Sequence, residues 1–239
     1  MGISEINCRT KIFPSTYKPN LSNMSETVVQ TSMPRIGDVA PNFKAMTTHG
    51  ELDFHEFKKD SWAVLFSHPA DFTPVCTTEF MGFAQRADEF AKMNVKLIGL
   101  SIDSIHAHVA WIQNINEKAH TKIPFPVIAD LDMSVAKLYG MLHSVSSTAT
   151  VRAVFIIDPK NIVRLILYYP MNVGRNIDEV IRAIQALQTA DANNVACPAN
   201  WKPGEKVIVP PPKTQKELDE RLASKFDEVV DFYLVKKSL

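Results

Sequence analysis

The clearest pattern in the chain is an apolar run that gives way to a helical one between residues 62 and 93. Ala63 to Phe66 are apolar and bounded by polar residues, which is typical of a central strand. Prolines at positions 69 and 74 then interrupt the chain. Beyond them, apolar residues recur at helical spacing at Phe80, Phe83, Ala84, Ala87, Phe90 and Ala91. The pattern predicts a strand, a loop and an amphipathic helix from Cys76 to Met93.

Strands and helices alternate along the rest of the central region. The other predicted elements are a hairpin around Gly50, a helical turn at HEFKKD, a strand at NVKLIGLSI, a helix over Ser104–Lys118, a strand at FPVIAD, a short helix over Met133–Tyr139, a hairpin of Val151–Ile157 with Ile162–Leu167, and a helix over Ile177–Leu187. This order predicts an α/β fold, a mixed sheet with helices on both faces.

The two ends of the chain differ from the centre. Residues 1–33 are rich in Ser, Thr and Asn without hydrophobic periodicity, so we expect a flexible extension, with organelle targeting as an open alternative. Residues 34–192 form the predicted domain. In residues 193–239, Pro198–Lys213 contains five prolines and predicts an extended arm, and Lys216–Leu234 predicts an amphipathic helix. This arm and helix are expected to cover a surface, which a second subunit could supply.

Composition excludes several classes of partner. The chain is 46% apolar and 22% charged, and its formal net charge is +0, so nothing favours a nucleic-acid or membrane surface. No apolar run approaches the roughly 20 residues of a membrane-spanning helix. The three cysteines, Cys8, Cys76 and Cys197, are too few and too dispersed for a secreted disulfide framework. A reducing, cytoplasmic location is the simpler interpretation, with Cys8 incidental.

Cys76 is the first candidate for chemistry. The first turn of a helix has backbone N–H groups without intrahelical partners and a partial positive charge, and both stabilise a thiolate. A lone cysteine at such a position is nevertheless more often a small buried apolar residue than a nucleophile. The residues around Cys76 must therefore show whether it is a nucleophile or a buried structural cysteine.

Those neighbours carry a family resemblance. Pro69-x-x-x-Thr73-x-x-Cys76, followed by Glu79, resembles the active-site signature of the peroxiredoxins of the AhpC/TSA superfamily, and SHPADFTPVCTTEF is similar to their one-cysteine subgroup. Matching segments follow in order: TVRAVFIID with Arg152, YYPMNVGRNIDEVIRAIQALQ, and ACPANWKPGEKVIVPPP. The resemblance covers roughly residues 34–239 and implies a thioredoxin-like fold and a thiol peroxidase.

The resemblance also implies roles for individual residues. Cys76 would be the attacking thiolate that reduces hydrogen peroxide and organic hydroperoxides, and it would become a sulfenic acid. Thr73 would hold the peroxide in line, Pro69 would shield the sulfur, and Arg152 would supply a fixed positive charge. Glu79 would orient Arg152. His68 and Arg175 would support these groups from outside, and no metal, haem or flavin cofactor is implied.

Cys197 leaves the regeneration step open. ACPANWKPGEK is similar to the resolving segment of two-cysteine peroxiredoxins, so the resemblance implies a disulfide between Cys76 of one subunit and Cys197 of its partner, reduced by a thioredoxin-like or other dithiol donor. The alternative is a true one-cysteine peroxidase that uses an external thiol. The family further implies homodimers, often assembled into rings of dimers.

Other functions fit the sequence less well. A disulfide oxidoreductase of the thioredoxin type is disfavoured because Thr77, Thr78 and Glu79 follow Cys76 in place of a second cysteine. A lipase-like nucleophile at Ser61 lacks the flanking glycines, since Lys59 and Ala63 occupy their places. Metal binding by Cys76 and nearby histidines has no ligand spacing. A holdase or redox-relay role, which the apolar C-terminal helix would serve, stays open.

Overall fold

The computed structural model describes residues 33–143 and 149–239. Its strands are β1 (Lys44–Thr47), β2 (Gly50–Asp53), β3 (Trp62–Ser67), β4 (Val95–Ser101), β5 (Val127–Ala129), β6 (Arg152–Ile157), β7 (Val163–Tyr169), β8 (Val207–Ile208), β9 (Glu228–Asp231) and β10 (Leu234–Lys237). Its helices are α1 (Phe54–Lys58), α2 (Pro74–Gln85), α3 (Ala87–Lys92), α4 (Ile105–Ala119), α5 (Ser134–Leu138), α6 (Ile177–Asn193) and α7 (Gln215–Ala223). The extension predicted for residues 1–33 lies outside the described part, apart from Met33.

A seven-stranded sheet in the order β2-β1-β5-β4-β3-β6-β7 forms the centre of the fold. Strand β3 pairs in parallel with β4 and antiparallel with β6, so the sheet is mixed as predicted. All six residues of β3 are buried. Because side chains alternate along a strand, Val64 and Phe66 face one apolar cluster, and Ala63 and Leu65 face the other. Helices therefore cover both faces of the sheet.

The connection from β3 to α2 places Cys76. Strand β3 ends at Ser67, and α2 begins with Pro74 at a position where its missing N–H costs no helical hydrogen bond. Phe72, in the connecting loop, has φ +54°, a left-handed conformation that bulky residues rarely adopt. Cys76 is then the third residue of the helix. The thiol thus lies in the first turn of α2, where the sequence pattern put it.

The helix predicted from Cys76 to Met93 is two helices. Arg86 has φ −105° and ψ 5°, and its N–H bonds to the carbonyls of Ala84 and Phe83, which ends α2. A new helix, α3, starts at Ala87. Phe83 and Phe90 still reach the same core, so the apolar period survives the break and conceals it in the sequence.

The C-terminal helix predicted over Lys216–Leu234 is confirmed as far as Ala223, and the prediction is wrong beyond that residue. Helix α7 ends at Ala223, and the chain continues as β9 and β10, which join β8 in a three-stranded sheet in the order β8-β10-β9. Strand β10 pairs with β8, which lies in the arm that was predicted to be extended. Helix α7 buries none of its residues, so no described surface stabilises a longer helix here. Strand pairing therefore determines the structure of this segment despite its helical period. The apolar helix that the holdase interpretation invoked is therefore absent from this described segment.

Replacing Val235 with Ala tests this correction. Val235 is 1% exposed in β10, whereas Val230 in β9 is 63% exposed. We expect Val235→Ala to lower the local free energy of opening of the small sheet by about 2 kcal/mol, from lost burial and the cavity left behind. Val230→Ala, the matched control, should have a much smaller effect. Hydrogen exchange of the β9 and β10 amides would measure both, and equal protection losses would contradict the hairpin.

Candidate active site

Cys76 is fully buried, and its sulfur has a charged neighbour. Arg152, at the start of β6, places Nη1 3.2 Å from Cys76 Sγ. The two residues are 76 positions apart in sequence, and the pairing of β6 with β3 brings them together. A guanidinium remains protonated at physiological pH, so the sulfur faces a permanent positive charge as well as the N-terminal end of α2.

Glu79 joins two arginines, one turn beyond Cys76 on α2. Its Oε2 accepts from Nη1 of Arg152 at 2.7 Å and from Nη2 of Arg175 at 2.7 Å. Its Oε1 accepts from Nε and from the backbone N–H of Arg175, both at 2.9 Å. All three side chains are buried. The carboxylate therefore fixes both guanidinium groups, as bidentate pairing allows.

Backbone carbonyls and aromatic rings complete the setting of the arginines. Nε and Nη2 of Arg152 donate to the carbonyl of Met171 at 3.0 and 2.6 Å. Nη1 of Arg175 donates to the carbonyls of Ser67 and Ala153 at 2.9 and 3.0 Å. The Arg175 guanidinium also lies 5.1 Å from the ring centre of Phe66. Arg175 thus ties α2 to the ends of β3 and β6, while Arg152 presents its remaining edge to the thiol.

Two guanidinium groups and one carboxylate lie together beside the Cys76 sulfur. Burial by itself would raise the pKa of Glu79, but the charge and hydrogen bonds of Arg175, together with the charge of Arg152, hold that pKa below its ordinary value. An ionised Glu79 neutralises one of the two arginines. The guanidinium of Arg152 has the Cys76 sulfur and the Met171 carbonyl as its other partners.

Pro69 and Thr73 line the loop that leads to the thiol. Pro69 is buried and Thr73 is half-buried. The Thr73 hydroxyl donates to the carbonyl of Ala70 at 2.9 Å rather than capping α2, and the Thr73 carbonyl accepts from the Thr77 hydroxyl at 2.8 Å. The hydroxyl oxygen keeps acceptor capacity at the half-exposed edge of the loop.

His68 belongs to a second polar cluster, beside the one that holds Cys76. Its Nε2 lies 2.7 Å from Oδ1 of Asp71, and Oδ2 of the same carboxylate lies 2.7 Å from Nδ1 of His108 on α4. Sequence reasoning missed both partners. The three-residue spacing of His68 and Asp71 was a usable signal, but His108 reaches them only through tertiary packing.

Cys197 lies in the segment after α6. Its Sγ donates to the carbonyl of Ala186 at 3.4 Å, and burial raises the pKa of the thiol although the charge of Arg182 opposes that shift. Cys76 and Cys197 are both free thiols. The third cysteine, Cys8, lies outside the described residues.

Ser61 occupies the position weighed as a lipase-like nucleophile. It directly precedes β3, and its hydroxyl donates to Oδ1 of Asn94 at 2.9 Å. Its backbone N–H bonds to the carbonyl of Lys58. These contacts fit a residue that opens a strand. Separately, over residues 33–143 and 149–239, no helix is both long and apolar enough to cross a membrane.

Comparison with known proteins now places the chain. Residues 36–166 match the AhpC/TSA family, and residues 186–225 match the C-terminal domain of 1-Cys peroxiredoxin. A peroxiredoxin of Aquifex aeolicus is 53% identical over 219 residues, which cover 87% of this chain and 98% of that protein. Peroxiredoxin 2 of Caldanaerobacter subterraneus is 56% identical over 198 residues, which cover 82% and 89%.

Solved structures agree with this placement. The yeast mitochondrial 1-Cys peroxiredoxin, studied for thiol resolution via glutathione/thioredoxin systems, superposes with a TM-score of 0.79 at 47% identity, covering 87% of this chain and all of that one. A cysteine-to-serine mutant of peroxiredoxin 6 from Arenicola marina gives 0.76 at 37% identity, covering 85% and 97%. Fold and family together define a thioredoxin-like thiol peroxidase of the AhpC/TSA class. The chain belongs to the peroxiredoxin family, as its sequence motifs indicated.

Glu79→Gln should reveal how the buried charges stabilise the fold. Because the pKa of Glu79 is lowered on folding, its contribution is present above the unfolded value of about 4.3 and is lost as the pH falls through the folded value. We expect Glu79→Gln to reduce the free energy of unfolding at pH 7 by about 3 kcal/mol and to flatten this acid dependence.

Urea unfolding between pH 3 and pH 7 would measure both effects. Glu89→Gln is the matched control, because Glu89 pairs with Arg86 at the surface and should contribute little. An unaltered acid dependence in Glu79→Gln would contradict the argument.

Proposed function

We propose that this peroxiredoxin reduces hydrogen peroxide and small organic hydroperoxides through Cys76. The observation that supports this proposal most directly is the position of the Arg152 guanidinium, which lies 3.2 Å from Cys76 Sγ and is held by Glu79 at 2.7 Å. This arrangement places a nucleophile and a fixed set of donors at one point, with both side chains shielded from bulk water.

The proposed step is a displacement at oxygen. The Cys76 thiolate attacks one peroxide oxygen, so that the S–O bond forms as the O–O bond breaks. Cysteine is oxidised to the sulfenic acid, and the departing oxygen leaves as water or an alcohol after taking a proton. Arg152 stabilises the negative charge that develops on the peroxide oxygens. Thr73, at the half-exposed edge of the loop, orients the incoming peroxide, and Pro69 shields the sulfur.

Two substitutions test the assignment. Cys76→Ser should abolish peroxide consumption, because the nucleophile is lost. Arg152→Ala should slow the single-turnover reaction by about 100-fold, the usual effect of losing a fixed donor to a developing oxyanion. Stopped-flow measurement of peroxide consumption would determine both rates. Arg164→Ala is the control, since Arg164 pairs with Asp191 away from the thiol. Undiminished rates in both test variants would refute the assignment.

Regeneration is proposed to use Cys197 of the partner subunit. Its ACPANWKPGEK context and its place at the start of the C-terminal arm support this role. A thioredoxin-like dithiol would then reduce the intersubunit disulfide. The three cysteines are too few and too dispersed for a secreted disulfide framework, which supports the reducing, cytoplasmic setting that we propose.

Direct reduction by an external thiol is the second candidate. The match of residues 186–225 to the 1-Cys C-terminal domain favours it, as does the similarity to a yeast 1-Cys protein studied with glutathione and thioredoxin. The raised pKa of Cys197 also favours it, because a weakly ionised thiol is a slow nucleophile.

Non-reducing electrophoresis after one equivalent of peroxide separates these routes. If Cys197 resolves Cys76, the wild-type protein should run as a covalent dimer that dithiothreitol dissociates, and Cys197→Ser should remain monomeric on the gel. Cys8→Ser provides the control for an incidental cysteine. A dimer that persists in Cys197→Ser, or no dimer in the wild type, would reject the resolving role of Cys197 and leave the external-thiol route.

A homodimer, assembling further into rings, completes the proposal. The hairpin of β9 and β10 exposes apolar side chains that a second subunit would bury, namely Val229, Val230, Phe232 and Tyr233. Strand β7 lies at one edge of the main sheet, where its free hydrogen-bonding groups could pair with another strand.

A further inference from the structure

Two buried histidines outside the Cys76 cluster, His68 and His108, share the carboxylate of Asp71. Asp71 lies in the loop between β3 and α2, and its two oxygens face His68 Nε2 and His108 Nδ1 at 2.7 Å each. The side chains of both histidines are 0% exposed and that of Asp71 is 2% exposed. None of the peroxidase roles above uses Asp71 or His108.

The hydrogen bonds of His108 determine where its protons lie. His108 Nε2 is 3.1 Å from the carbonyl of Ile128, and a carbonyl can only accept, so Nε2 carries a proton. An ionised carboxylate also only accepts, so Nδ1, which faces Asp71, must carry a proton as well. A ring with both nitrogens protonated is an imidazolium. The same rule places the proton of His68 on Nε2.

The distances from the Asp71 oxygens to His68 and His108 are those of hydrogen bonds rather than those between ligands of a metal ion. His68, Asp71 and His108 could together offer three ligand atoms. Two ligands of a tetrahedral zinc ion lie about 3.3 Å apart, as follows from zinc–nitrogen distances near 2.05 Å, whereas both contacts here are 2.7 Å. Those lengths are ordinary for charge-assisted hydrogen bonds.

Local electrostatics favour the same distribution. Burial acts to raise the pKa of Asp71, but hydrogen bonds from His108 and His68 hold it below its ordinary value. Burial lowers the pKa of His68, more than Asp71 raises it. The carboxylate of Asp71 is therefore ionised and His68 is neutral, as the hydrogen-bond directions above require.

We infer that His108 is a resident imidazolium that anchors Asp71, and that Asp71 in turn fixes His68 as the Nε2–H tautomer with its Nδ1 lone pair free. His68 Nδ1 is buried and has no hydrogen-bond partner within the described part of the chain. A buried acceptor left without a donor is unusual, and such atoms commonly serve a reaction or a ligand. Asp71 and His108 are thus positioning residues for His68.

The ring of His68 lies against the turn that carries Cys76. Its centre is 4.7 Å from that of Phe80, which is one turn beyond Cys76, and 5.1 Å from Trp111. The Trp111 indole N–H donates to the hydroxyl of Thr77, the residue after Cys76, at 3.3 Å. On the proposed peroxidase function, on which this part rests, hydroperoxide and sulfenic acid both bring a hydroxyl donor to this turn.

The charges around His68 set the sign of the expected effects. Asp71 and, more weakly, Asp103 favour the protonated ring, whereas His108 disfavours it. The ionisable residues of the neighbouring elements are Cys76 and Glu79 of α2 and Arg152 of β6. Removing the cation with His108→Gln should raise the pKa of His68, because Asp71 then acts on His68 alone. Asp71→Asn should lower it.

Nitrogen-15 NMR of the histidine-labelled, reduced full chain tests the inference directly. In the wild type between pH 6 and pH 8, His108 should show two protonated nitrogens and His68 one, at Nε2. His106→Gln is the matched control, because His106 is exposed on the same helix and should leave His68 unchanged. A singly protonated His108 at pH 7, shifts of the same sign in His108→Gln and Asp71→Asn, or one equivalent of zinc in the purified protein by mass spectrometry would each overturn it.

The pH dependence of peroxide reduction tests whether Asp71 and His108 position His68 for the reaction. In His108→Gln, the acid limb of the pH profile of peroxide reduction should move to higher pH together with the pKa of His68, and in His106→Gln it should not move. If the profile stays in place while the NMR shifts occur, His68 does not serve the reaction. Because the NMR assignment needs no turnover, failure of the peroxidase assignment, seen as an unaffected Cys76→Ser variant, is distinguishable from failure of this inference.

Discussion

The buried carboxylate of Glu79 is the interaction on which the site depends. One side chain orients two arginines from different parts of the chain, and one of those arginines contacts the sulfur of Cys76. Without the carboxylate, two guanidinium groups would lie close together in a region of low dielectric constant, which is strongly unfavourable. The same contacts join α2 to β3 and β6, so the geometry of the site and the stability of the fold depend on one group.

The arrangement also explains why the site forms where it does. Strand β3 is buried on both faces and ends at Ser67, and the following loop leads into α2 while its Asp71 contacts His108 of α4. Backbone carbonyls near the ends of β3 and β6, those of Ser67 and Ala153, accept from Arg175. Hydrogen-bonding groups at the end of the sheet thus become the frame of the active site.

The sequence predicted the features that depend on local pattern. The strand before Cys76, the position of Cys76 in a first helical turn and the mixed sheet all follow from periodicity, and the fold class is confirmed by similar structures. The helix prediction for the C-terminal segment was wrong beyond Ala223 because Leu222, Phe226, Val229 and Tyr233 satisfy a helical period. Pairing with β8, more than 20 residues away in sequence, decided its structure, and local pattern does not record such pairing.

The candidate site residues also divide into those that a local motif reveals and those that only tertiary packing brings together. The motif with Pro69, Thr73, Cys76 and Glu79 lies within one short segment and was recognisable, and resemblance added Arg152. The double pairing of Glu79 and the contact of His108 with Asp71 were not recognisable, because each depends on how separate elements pack. The sequence has no metal-ligand spacing around Cys76, and packing assembles a separate His-Asp-His group of which only the His68–Asp71 spacing is visible in the sequence.

The complete burial of the Cys76 sulfur has a kinetic consequence. A second thiol, from whichever source, needs a line of approach to that sulfur, so the first turn of α2 must unwind before any S–S bond can form. If Cys76 is the residue that peroxide oxidises, as we propose, a second thiol reaches its sulfenic acid only as fast as this turn opens, and a further peroxide molecule competes in the meantime.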